Sequence, residues 1–497
     1  MEKRRESGIL MHISSLPSPY GIGNIGGAAY KFIDFLFSAG QGVWQMLPQG
    51  HTGFGNSPYA TFSAFAGNPD LIDPELMAEA GYLKADELDA LRLGEGRVDY
   101  RRLHEVRYPV LYKAYERFLK KIPADFEEFC ESERCRLDDY ALFMSIKDDH
   151  GDTPWFEWYT PVRMRERDAL KICRRRYAER MEFYYFLQYE FSRQWRLLRA
   201  YAKDKGICLV GDVPIYVPLD SADVWAHPEL FMLDDCKRPI EVSGCPPDKF
   251  NPRGQKWGNP LYRWDKMAEN DYKWWRDRLR NGVKYFDILR FDHFRGLEGY
   301  YCVPAHADSA EEGRWQKGPG LDFIQKIKEI LPHAGFIAED LGFITDDVTE
   351  LRERSGIPGM KVLEFAFDPR ESGDYLPHNY EKDCVCYPAT HDNAPLAAWE
   401  HELDEESREY ARQYLNVTPN ESLARAVIRA GMSSVADLFI CQMQDWLELG
   451  EESRMNTPGT VSDKNWTWRA SPDAFTPTLA QRMRKMTELY GRAFRNC

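Results

Sequence analysis

The chain has 497 residues, of which 43% are hydrophobic and 29% charged; this is the make-up of an ordinary globular protein, and it excludes disorder and a membrane class. A formal net charge of −14 repels phosphate backbones and anionic lipid, so nucleic acid and membranes are excluded as partners, while a neutral ligand needs no counter-charge. The eleven cysteines include no C-x-x-C pair, and no long apolar run follows Met1, so the expectation is reduced thiols in a cytoplasmic protein.

Short β-rich runs that end in polar residues recur along the chain. They run from Gly8 to Ser14, Gly42 to Pro48, Ile207 to Tyr216, Tyr285 to Asp292, Gly335 to Asp340, Gly359 to Phe367, Cys384 to Asp392 and Val435 to Asp445. Most are followed by helical periodicity, as from Ala28 to Phe37 and from Leu321 to Ile330. Alternating strand and helix means a parallel sheet, and eight such units predict an α/β fold of the (β/α)8 TIM-barrel type. The barrel is expected to form a single unit over 1–497 with two insertions. The larger, about 74–205, is mainly helical, with Phe183, Leu187, Phe191, Trp195 and Leu198 on one apolar face. The smaller, about 217–281, is rich in Pro and Gly and suits a loop subdomain that covers a substrate.

In a barrel the C-terminal strand ends converge on one cleft. Here they deliver Asp212, then Arg290-Phe-Asp-His293, then Glu339-Asp340, then His391-Asp-Asn393. An acid after a strand is by itself commonly a turn residue or a helix cap. Several acids from different strands, with Arg290, His293 and His391 among them, are harder to explain by capping. Crowded carboxylates push their pKa values apart, and one protonated acid beside one carboxylate is what glycosidic cleavage requires. The 14 Trp, 27 Tyr and 27 Phe suit sugar rings and large helical cores equally.

Gly21-Ile-Gly-Asn-Ile-Gly26 matches the dinucleotide fingerprint in letters only. Pro17 and Pro19 detach it from the preceding strand, and the next strand ends at Leu47-Pro-Gln49 where a ribose-binding acid is expected. Its glycines are expected to allow a tight active-site loop. Phosphate-loop, H-E-x-x-H and G-x-S-x-G motifs are absent from the sequence. No cofactor and no metal are expected.

An ordered series of motifs resembles the 4-α-glucanotransferases, or amylomaltases, of glycoside hydrolase family 77. It runs through residues 7–23, 55–59, 63–69, 211–217, Pro246-Pro-Asp248, 257–262, 290–296, 337–342, 359–363 and 454–459. The resemblance implies a retaining transfer of an α-1,4-glucan segment to the 4-hydroxyl of glucose or another glucan. Asp292 would be the nucleophile, Glu339 the general acid/base and Asp392 the acid that grips sugar hydroxyls. Tyr59, Asp212, Trp257, Arg290, His293, His391 and Asn393 would bind substrate, the partners being maltooligosaccharides and other α-1,4-glucans. A retaining α-glucan hydrolase and a non-catalytic glucan-binding protein are the alternatives. The chain departs from the family pattern at Gln49-Gly-His51, Asn24, Asn56 and Ala394-Pro395.

Overall fold

The β-rich runs become strands that water does not reach on either face. A computed structural model of the chain describes residues 5–247, 252–371 and 373–493; Asp248 of the Pro-Pro-Asp motif lies outside them. The strands in chain order are β1 (Glu6–Leu10), β2 (Val43–Gln45), β3 (Cys208–Val213), β4 (Glu241–Cys245), β5 (Gln255–Pro260), β6 (Ile288–Phe291), β7 (Gly299–Pro304), β8 (Arg314–Lys317), β9 (Gly335–Ala338), β10 (Gly359–Val362), β11 (Cys384–Tyr387) and β12 (Leu438–Gln442). Eight of them close into a parallel barrel in the order β1-β12-β11-β10-β9-β6-β3-β2, and each overlaps one of the eight runs. The (β/α)8 expectation is correct.

Near-continuous burial along these strands, with Val, Ile, Leu, Phe and Cys dominant, is what a sheet covered by helices on the outside and packed on itself inside demands. Gly8 allows β1 and β2 to approach closely, because a Cβ there would lie 2.5 Å from the Val43 Cβ and carbonyl oxygen. The seam joins the first strand to the last, with Glu6 paired to Leu438. Behind it the buried Arg492 guanidinium donates to the carbonyls of Glu6, Met432, Ser434 and Ala436 at 2.8–3.0 Å. A buried charge of this kind is tolerable only when its donors are satisfied, as these are.

Between β2 and β3 the chain is mainly helical, and its long helices Tyr100–Phe118, Phe126–Asp149 and Ala178–Asp204 pack together. Phe183, Leu187, Phe191, Trp195 and Leu198 are all buried there. Much of the aromatic content is used for this packing: the Phe118 ring meets Phe186 at 4.7 Å and Phe126 at 4.8 Å. His51, one of the departures from the family pattern, is clamped between the hydroxyls of Tyr140 (2.9 Å) and Tyr108 (3.0 Å), tying the β2 loop to these helices.

The remaining four strands form an antiparallel sheet in the order β5-β4-β7-β8 over one side of the barrel mouth. Only β4 and β5 fall within 217–281. Strands β7 and β8 follow β6, and Ser243 of β4 pairs with Cys302 of β7. The covering layer is therefore assembled from two insertions, a pairing that local composition does not encode. The Gly21–Gly26 stretch is likewise a packing device and no part of the cleft. A Cβ at Gly23 would strike the Ile13 carbonyl and one at Gly26 the Asp73 carboxylate, while Asn24 bonds Ser18.

Candidate active site

The period of two along a strand puts Arg290 and Asp292 on the same side of β6, and the register sets Arg290 beside Asp212 of β3. One guanidinium nitrogen, Nη1, therefore lies 2.7 Å from Asp212 Oδ2 and 3.2 Å from Asp292 Oδ1. The Tyr59 hydroxyl donates to the same Asp212 oxygen at 2.9 Å. Tyr59 and the buried Asp212 and Arg290 thus form a brace that fixes the position of Asp292, whose side chain is 27% exposed and opens to the cleft.

The next residue, His293, adopts the left-handed conformation with φ of 51°. For a residue with a Cβ this costs on the order of 1 kcal/mol. The turn aims its backbone N–H at Glu339 Oε2, 2.6 Å away. Asp340 takes the opposite side of the chain, where it accepts the Met360 N–H at 2.6 Å and pairs with Arg352 at 3.2 Å. Of the two adjacent acids, Glu339 belongs to the cleft and Asp340 to the β9–β10 junction.

Burial pushes both Asp292 and Glu339 upward and Arg290 opposes it in both, while the charges of Asp212 and Asp392 add to the rise at Asp292 and the charge of Asp292 adds to it at Glu339. Arg290 touches Asp292 directly and not Glu339, so Asp292 is the member that ionises first and Glu339 is the one that keeps a proton. His293 is driven down to about 3 by burial and the nearby Arg295, and His391 is lowered by burial. Both imidazoles are neutral, able to donate and accept one hydrogen bond each.

Asp392 faces this pair from beyond β11. The turn that presents it is closed by Asn393, whose Oδ1 accepts from Thr390 N at 2.9 Å and Thr390 Oγ at 2.7 Å. Asn456 Nδ2 donates to Asp392 Oδ1 at 2.6 Å, and Arg454 holds the Asp392 carbonyl at 3.2 Å. The Asp392 side chain is 46% exposed. After the altered Ala394-Pro395 step, the helix Leu396–Glu402 has no cap of its own, and Asp445 from beyond β12 accepts the Leu396 N–H at 2.8 Å.

These elements bound an open cleft of about 1170 Å³, more than one small ligand fills. Tyr59, Trp257, Arg290, Asp292, His293, Glu339, Asp392 and Asn393 line it. Two expected substrate-binding residues do not. The Asp212 side chain is wholly enclosed beneath the floor and serves the brace. His391 is buried, stacked on Tyr59 at 5.3 Å and tilted against Trp466 at 6.1 Å, with Nε2 3.5 Å from Asp392 Oδ1. Sequence reading also passed over Asn456 and Trp466, which lie on the long segment after β12, and Glu364 after β10. Asn456 stands in a motif that was recognised without a role. Among the described residues no group of three or more His, Cys, Asp or Glu side chains is arranged to hold a metal, and no helix is long and apolar enough to cross a membrane.

A closed (β/α)8 barrel with carboxylates from three strand ends in one aromatic-walled cleft is a build suited to glycoside chemistry. The profile of glycoside hydrolase family 77, described as 4-alpha-glucanotransferase, matches residues 11–475. A 4-alpha-glucanotransferase of Streptococcus pneumoniae is 44% identical over 499 aligned positions, covering 99% of both chains. One from Thermus thermophilus is also 44% identical, covering 98% of this chain and 99% of its own. The structure of an amylomaltase from Streptococcus agalactiae in complex with acarbose superposes with a TM-score of 0.96 at 41% identity, covering 99% of this chain and all of that one. The chain belongs to glycoside hydrolase family 77, the 4-alpha-glucanotransferases.

Proposed function

We propose that the protein transfers segments of α-1,4-glucans to the 4-hydroxyl of glucose or of another glucan, with retention of configuration. Asp292 attacks the anomeric carbon while Glu339 gives its proton to the departing glycosidic oxygen, so a glucosyl ester forms on Asp292 and the shortened glucan leaves. The 4-hydroxyl of the acceptor then passes its proton to Glu339, its oxygen bonds the anomeric carbon, and Asp292 departs as carboxylate. Asp392, steadied by Asn456, grips hydroxyls of the ring that carries positive charge in the transition state. Trp257, Tyr59 and His293 contact the sugars on either side.

The observation that carries this reading is the Asp292–Glu339 pair in a family 77 cleft, one acid braced by Arg290 and the other by the His293 N–H. Transfer prevails over hydrolysis when an acceptor sugar is positioned better than water, a task for the aromatic walls. Cys302, Cys384, Cys386 and Cys441 are buried free thiols, which supports a cytoplasmic setting.

Incubation with maltotriose tests the proposal. Glucose and a ladder of longer maltodextrins are expected, with the total of reducing ends nearly constant. Reducing ends that rise with every bond cut make the protein a hydrolase, and an unchanged substrate favours a glucan-binding protein.

A further inference from the structure

Two aromatic side chains stand open on the cleft wall without a part in the chemistry above. Trp315 on β8 is 39% exposed, and Phe343, in the loop that follows β9, is 61% exposed. Their ring centroids are 6.1 Å apart with planes only 21° from parallel. The Trp315 ring is held in place: the Arg295 guanidinium carbon lies 3.8 Å from its centroid, and Tyr301 meets it edge-on at 5.2 Å. Arg295 is itself buried; it donates to the carbonyl of Phe343 and, at 3.4 Å, to that of Gly299. One buried cation therefore fixes both halves of the pair. An apolar surface that is rigid and still left to water is the signature of a binding face, and the C–H faces of a pyranose ring are its natural complement.

Topology says which part of the substrate would lie there. The ring undergoing substitution sits over Asp292 and toward Asp392, which comes from β11. The leaving or accepting oxygen lies at Glu339 on β9. Both arms of the aromatic pair start from that point: Phe343 is four residues beyond Glu339, and Arg295 is two beyond His293, whose N–H binds Glu339. The platform thus extends the cleft on the Glu339 side, away from Asp392.

We propose that Trp315 and Phe343, supported by Arg295, form an outer acceptor subsite that stacks a glucosyl unit remote from the reacting 4-hydroxyl, so that maltooligosaccharides are better acceptors than glucose. The inference rests on the transferase reading. Stacking of this kind adds to binding and leaves the bond-making groups untouched, so it acts on acceptor selectivity.

The test uses the full chain, a fixed maltoheptaose donor, and either labelled glucose or labelled maltotriose as acceptor. The kcat/KM ratio of maltotriose to glucose is expected to fall roughly tenfold in Trp315→Ala and roughly threefold in Phe343→Ala, and Trp315→Phe recovers most of the loss. Phe343 is too exposed for its removal to unfold the barrel, so Phe343→Ala decides the matter if Trp315→Ala does not fold. A parent that transfers label while both alanine variants keep its ratio overturns the subsite alone. A parent that incorporates no label overturns the transferase reading and the subsite with it.

Discussion

The barrel and the antiparallel sheet above it use their side chains in opposite ways. Barrel strands are buried throughout, and where they end they present charged groups locked by their neighbours: Tyr59 on Asp212, Asp212 on Arg290, Arg290 on Asp292. In the sheet, β5 and β8 leave half or more of their residues exposed, and Trp257 and Trp315 stand open to the cleft. The comparison teaches that fixing a carboxylate within a fraction of an ångström requires a buried chain of hydrogen bonds, whereas holding a sugar ring requires only a firm apolar face. On the proposed reading the bond-making groups belong to the barrel floor, and the added sheet contributes apolar faces for recognition.

The sharpest way to break that division is to remove one acid. Asp292→Asn is expected to cut glucan transfer roughly 10⁴-fold or more, and Glu339→Gln by about 10² to 10⁴, with thermal unfolding close to the parent's in both. Loss of only a few-fold would mean that the pair is not where the bond is broken. A smaller effect is expected from the brace. Arg290→Lys keeps a charge but loses the planar fork, so kcat should fall roughly 100-fold. The pH profile carries the more telling sign. Arg290 favours ionised Asp292, and weakening it lets Asp292 hold its proton to higher pH, so the acid limb of kcat/KM should move up by about one unit. A limb that stays in place would show that Arg290 is only structural.

The smallest effect belongs to the sheet. Trp257, 38% exposed and edge-on to His293 at 4.9 Å, is expected in its alanine variant to raise the KM for maltodextrin roughly tenfold while kcat changes less. If Trp257→Ala instead lowers kcat as far as Arg290→Lys does, recognition and chemistry are not separable by layer.

The barrel was legible because its strands carry a repeated signal, buried apolar residues that stop at a polar end, and the three acids were legible because barrel geometry gathers such ends. Depth was not. A strand end tells that Asp212 is near the cleft but not that Tyr59 and Arg290 enclose it, and the same holds for His391 beneath Tyr59 and Trp466. Asp340 was separable in principle, since adjacent residues on extended chain point opposite ways. Asn456, Trp466, Trp315 and Phe343 reach the site from loops and an edge strand whose course no periodicity sets. The pairing of β4 with β7 joins segments on either side of β6, and nothing in either segment alone names the other.

The seam between β1 and β12 has a consequence for the chain as it leaves the ribosome. Glu6 finds Leu438 only when every residue between them has been made, and the Arg492 that ties the seam comes later still. Until then the first strand has an unpaired edge, the state in which chains pair with the wrong neighbour. Closure thereby acts as a check on how far synthesis has gone: a chain cut short of β12 leaves one edge of β1 open, and the cleft, whose Asp392 is held by Asn456 from beyond the seam, is finished only after β12 has been added.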